Sequence, residues 1–140
     1  MNTTLRSLLF LSLLAFAPLA LQATHNRAGE IHIEQIGPLT IRATIITWTR
    51  TLSFNADRDT LTICWGDGKC QQVVRNNGGG NGVVLNDQFK YNTYVAIHTY
   101  AGPAKYKISM TDPNRKAGII NVNPPQSENV PFHIETSYSF

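Results

Sequence analysis

From Ala28 onward the chain alternates between apolar and polar positions in runs of five to twelve residues, separated by turn residues. That is the period of half-buried strands, and no stretch after Thr24 sustains a helical period. Ala28 to Ile36 alternates through Ile31 and Ile33, and Gly37-Pro38 turns the chain. Leu39 to Arg50 follows with Leu39, Ile41, Ala43 and Ile45 on one face; Ile46 and Trp48 make the other partly apolar. Lys90 to Tyr100 places Tyr91, Val95 and Ile97 together. Lys105 to Thr111 alternates sharply, with Tyr106, Ile108 and Met110 inward. Gly118 to Val122 reads as a short strand, and Val130 to Phe140 as the last, with Phe132, Ile134 and Thr136 on one face. The expectation is an all-β sandwich or barrel of about seven to eight strands.

The most informative stretch is Leu61 to Val74. Leu61, Ile63 and Trp65 alternate with Thr62 and Cys64. Gly66-Asp67-Gly68 then supplies residues that tolerate a tight hairpin turn, and Cys70 to Val74 can run back. A three-residue loop sets Trp65 opposite Lys69 and Cys64 opposite Cys70, within reach of a disulfide. The alternative is two thiols on the hairpin's outer face. Asp67 in such a turn accepts backbone amide hydrogens, which predicts a low pKa and a structural role.

Composition separates the first residues from the rest. Ser7 to Leu21 is nearly all Leu, Ala and Phe, follows a short segment containing Arg6, and ends in Leu-Gln-Ala. Residues 1–23 read as a secretory signal peptide cleaved after Ala23; the apolar run is short for a membrane span, which needs about 20 residues. Residues 24–140 then form one domain with no transmembrane segment. Export makes a disulfide between the two cysteines the preferred reading. Of 12 basic residues, Arg6 leaves with the signal peptide; the remaining 11 against 9 acidic residues give a net charge near +2. The basic residues are scattered, so no basic stripe argues for nucleic acid.

Trp65-Gly66-Asp67-Gly68, followed by His98-Thr99-Tyr100, Gly102 and Tyr106-Lys107-Ile108, resembles the PKD domain, an Ig-like β-sandwich. The resemblance implies that His98, Tyr100 and Tyr106 are structural. A second set is similar to the N-terminal domain of large secreted Bacteroidetes-type proteins named for gliding-motility-associated C-terminal sorting domains. It comprises His25-Asn26-Arg27-Ala28-Gly29-Glu30-Ile31, Gln35 to Leu39, Asp57-Arg58, Arg75 with Asn77-Gly78, Asp112-Pro113-Asn114-Arg115, Pro131-Phe132 and Glu135-Thr136. This second resemblance implies a secreted or cell-surface module with an adhesion or structural role. Its expected partners are other domains of a larger surface protein, or extracellular surface and polysaccharide ligands. The sorting domain has no counterpart in the sequence, which favours a fragment.

Few residues suggest chemistry. His32 with Glu34, and His133 with Glu135, each share a strand face; if the first and last strands are neighbours, the two pairs could meet around a divalent metal. The bland reading is solvent-facing polar residues. Asn55, Asp57 and Asp59 present alternating oxygens that could bind calcium, without the glycine or bidentate glutamate of an EF-hand; otherwise an Asp pairs with Arg58. Apart from this calcium, no cofactor is expected. Arg75 to Gly82 reads as an exposed loop, and it lacks the Gly-Lys-Ser/Thr of a phosphate loop. No nucleophile motif is present, so no enzymatic activity is expected. The alternative to an adhesion module is a carbohydrate-binding module using exposed aromatics such as Trp48 or Tyr94, together with loops.

Overall fold

A computed structural model describes residues 26–52, 57–124 and 126–140. The expected signal peptide lies outside the described residues. Among the described residues eight strands form: β1 (Asn26–Gly37), β2 (Thr40–Thr49), β3 (Thr60–Cys64), β4 (Cys70–Val74), β5 (Val83–Val84), β6 (Lys90–Thr99), β7 (Lys105–Asp112) and β8 (Phe132–Ser139). They make two four-stranded antiparallel sheets, ordered β1-β2-β6-β5 and β4-β3-β7-β8. Of the all-β architectures the alternation allows, the observed fold is the sandwich that the PKD resemblance also implies. Among the described residues no helix is long and apolar enough to cross a membrane.

The core follows the alternation of β2 and β7. Ile41, Ala43 and Ile45 meet Ile63, Trp65, Ile108 and Met110 between the sheets, all essentially inaccessible to water. Burying side chains of this size stabilises by about 1.5–3 kcal/mol each relative to exposure, so these few residues account for much of the drive to pack the sheets. Farther along β2 the inward positions are Thr47 and Thr49, still buried but now polar. The inward face of β6 changes in the same way, from Ala96 and Tyr100 back to Asn92 and Lys90.

Tyr91, Val95 and Ile97 share one face, as expected; it is the outer face, because Asn92, Tyr94 and Ala96 take the inward positions of β6. One expectation about strands changes. Gly118 to Val122 does not form a strand. Gly118 has φ +74°, and the Ser127 hydroxyl closes this segment by donating to the Lys116 carbonyl (2.8 Å) and accepting from the Ile119 amide (3.0 Å). The stretch belongs to a long β7–β8 connection, residues 113–131.

The two ends of the sandwich differ. At one, the turn pole, strands join through short links: β1 to β2, β3 to β4 and β6 to β7. At the other, the loop pole, lie the start of β1 and residues 50–52, 57–59, 75–82, 85–89, 113–124 and 126–131.

Candidate functional site

The hairpin and PKD-like residues singled out from the sequence gather at the turn pole. Cys64 pairs with Cys70 in register, and the two form a disulfide. The Trp65 amide donates to the Lys69 carbonyl at 2.9 Å, closing the loop over Gly66-Asp67-Gly68. Gly66 (φ +81°) lies against β7, where a Cβ would stand 2.6 Å from the Lys107 carbonyl oxygen. Asp67 Oδ1 accepts the Lys69 amide at 3.1 Å, and its Oδ2 is 2.8 Å from His98 Nε2. Burial pushes the Asp67 carboxyl up, but the His98 hydrogen bond, the Lys69 amide and the nearby positive charge outweigh it and hold the group below its ordinary value. The low pKa expected for this turn carboxylate thus acquires a second cause on the opposite sheet.

His98 stacks on Trp65 with ring centroids 4.8 Å apart and meets Tyr100 edge-on at 4.6 Å. Tyr100 donates its hydroxyl to the Trp65 carbonyl (3.0 Å) and stacks on Tyr106, whose hydroxyl reaches the Gly102 carbonyl (2.8 Å). Burial first, then the charge of Asp67 and the neighbouring Tyr106, push the Tyr100 phenol up to about 12. Asp67 and His98 have the spacing of an acid–base pair. Yet the imidazole is enclosed by Trp65 and Tyr100, and among the described residues no hydroxyl or thiol nucleophile is hydrogen-bonded to it. The arrangement clamps one sheet to the other.

The two His–Glu pairs considered for a metal do not meet, and they are the solvent-facing polar residues of the bland reading. β1 and β8 do pack beside each other, but they belong to different sheets and their polar residues face outward in opposite directions. His32 turns to Glu30 (3.0 Å); His133 lies between Thr111 (2.7 Å) and Glu135 (3.2 Å). The hydrogen bond from His133, together with Lys107, keeps the Glu135 carboxyl below its ordinary value. Among the described residues no three His, Cys, Asp or Glu side chains cluster as a metal site requires.

The loop pole holds what the sequence did not reveal. Arg75 was expected in an exposed loop; it is buried instead. Its Nη2 lies 2.7 Å from Asp57 Oδ1 and its Nη1 3.3 Å from Oδ2, while Nη2 also donates to the Arg58 carbonyl. Lys90 Nζ meets Asp57 Oδ2 at 2.5 Å. The carboxylate expected to help hold calcium is thus occupied by two side-chain cations. Asp59 is exposed, with its carbonyl accepting the Arg75 amide at 2.7 Å, and Asn55 lies outside the described residues. Arg58 pairs with Asp112 (3.0 Å) rather than with a neighbouring Asp.

Tyr94, expected as an exposed aromatic, is buried and donates to the Arg58 carbonyl at 2.5 Å. Burial is the main cause that pushes its phenol up. Asn77 uses both ends of its amide on β6, donating to the Tyr91 carbonyl (2.9 Å) and accepting from the Thr93 amide (3.0 Å). The only signal in the sequence for this network is Lys90, Asn92 and Tyr94 alternating in phase with Ala96, which places polar groups on a core face.

Above this polar base the loops, with Val84 of β5, expose apolar side chains: Leu52, Leu85, Phe89 and Ile120, the last 88% accessible. Arg27 lies over the Phe89 ring, 4.8 Å from its centroid, and donates to Gln88. Trp48 is half-buried on the outer sheet face beside Tyr91, with centroids 5.8 Å apart.

No protein-family model, curated protein or solved structure matches the chain.

Proposed function

We propose that this chain is a non-catalytic, exported β-sandwich module with an adhesion or structural role, and that the loop pole is its recognition surface. The carrying observation is the concentration of exposed apolar side chains on connections rooted in a buried ionic network. Loops on a rigid sandwich suit recognition, and exposed apolar groups suit a partner surface. Export by residues 1–23 belongs to this proposal. So does a place at the N-terminal end of a larger secreted protein, associated with gliding motility, as the resemblance implies. The resemblance to PKD-like domains is supported by the sandwich and by the Trp65–His98–Tyr100 cluster.

The test is adhesion of the exported protein to intact cells and to immobilised extracellular matrix. Leu52→Ser, Leu85→Ser, Phe89→Ser and Ile120→Ser together should abolish it, while the sheet-face pair Val95→Ser and Ile97→Ser should not. Equal loss in both variants would remove the loop pole from the reading.

One observation keeps carbohydrate binding as the second reading. Burial of Tyr94 removes one of the two aromatics first considered, but Trp48 and Tyr91 adjoin on an accessible sheet face and could stack on sugar rings. Trp65 is buried, so a polysaccharide-induced change in tryptophan fluorescence would report on Trp48. An unchanged spectrum across a polysaccharide panel would exclude this reading.

A further inference from the structure

Two cations surround one carboxylate at the base of the loop pole. Asp57 precedes β3, Arg75 follows β4, and Lys90 opens β6, so the cluster ties together segments that are distant in sequence and belong to both sheets. The other groups facing it leave it uncompensated. The Arg58 side chain is turned to Asp112, Tyr94 is a neutral phenol donating to a carbonyl, and Asn92 donates to Thr49. Among the described residues neither Arg75 nor Lys90 has a second carboxylate partner. Without the charge of Asp57, two nearly water-excluded cations would repel each other with nothing between them.

The apolar core reaches the loop pole through Leu61, Val73 and Tyr94, but its Ile41, Ile63, Trp65, Ile108 and Tyr100 pack toward the turn pole, and none of the three charged side chains belongs to it. Cooperative units of one domain can open separately when their contacts are separate.

We propose that Asp57 is the electrostatic lock of the loop pole. Its carboxylate holds residues 57–59, the 75–82 loop and the start of β6 in one arrangement, and losing that charge frees them while the sheets stay folded. This deepens the recognition reading, on which it rests for its consequence: the lock sets how firmly the loops present their apolar side chains.

Hydrogen exchange read by peptide mass spectrometry on the full chain tests it without a binding partner, so its outcome is separate from that of the adhesion assay. In Asp57→Asn, exchange should rise about tenfold in peptides covering 57–60, 75–82 and 85–91, with β2 and β7 within about twofold of the unaltered protein. A uniform rise through both sheets, or no rise at the three segments, overturns the lock. Arg75→Lys keeps the charge but loses the two-pronged contact. It should give a smaller rise in the same peptides, and it decides the matter alone if Asp57→Asn does not fold: a rise everywhere, or none, overturns the proposal.

Discussion

The two poles are built on the same strands and solve different problems. β2 and β6 pass through both, presenting Ile41, Ala43 and Tyr100 toward the turn pole and Thr49, Asn92 and Lys90 toward the loop pole. At the turn pole the links are short, and aromatic rings, a disulfide and a carboxylate–imidazole contact fill the space between sheets. At the loop pole the links are long. Their backbone polar groups need partners wherever they are buried, and Arg75, Asn77 and Arg115 supply them by reaching back to carbonyls and carboxylates. The turn pole closes on aromatic packing reinforced by a few local links; an end that supports long connections needs directional contacts along their length.

The sharpest way to break this contrast is to place one methyl group at each pole. Gly66→Ala combines a left-handed backbone with contact against Lys107, and should cost about 3 kcal/mol or more. Gly79→Ala has comparable φ (+63°) but open space around it, and should cost about 1 kcal/mol. Urea unfolding measures both; equal losses would mean that the turn pole is no more constrained than the loop pole.

A smaller effect comes from replacing Cys64 and Cys70 with Ser. The disulfide closes a short loop, so its loss should lower stability by about 2 kcal/mol. Thermal unfolding of the double variant, compared with the oxidised protein, tests this, and an unchanged midpoint would count against it.

The smallest effect is a pH dependence confined to the turn pole. The folded-state pKa of Asp67 is depressed. The carboxylate's contribution is therefore complete above its unfolded value of about 3.9 and is lost as pH falls through the folded value. The stability gap between the protein and Asp67→Asn should close as the pH drops below about 4. A gap independent of pH down to the acid transition would refute the assignment.

The turn pole was legible in the sequence because its determinants are local. Hairpin register follows from three loop residues, and Cys64 then faces Cys70 without knowledge of the rest of the chain. The alternation of β2 and β7 is equally clear, since their inward residues toward the turn pole are apolar. β6 misleads because hydrophobicity and direction separate: Val95 and Ile97 point outward while Asn92 points inward. Asp57, Arg75 and Lys90 could not be joined by inspection. Their separations match no local period, and only the crossing of the chain between sheets brings them together. His32 and His133 fail for the same reason: neighbouring strands at a sandwich edge can turn their polar faces apart.

Ser127 has a consequence for how the chain can vary. By bonding to both Lys116 and Ile119, its hydroxyl divides the 113–131 connection at its base. The segment carrying Ile120 becomes a small loop standing on a pinned foot. Adding residues near Ile120 lengthens a loop whose ends are already held together, and closure entropy grows slowly with length. The module can therefore accept a different tip there while β7 and β8 keep their register.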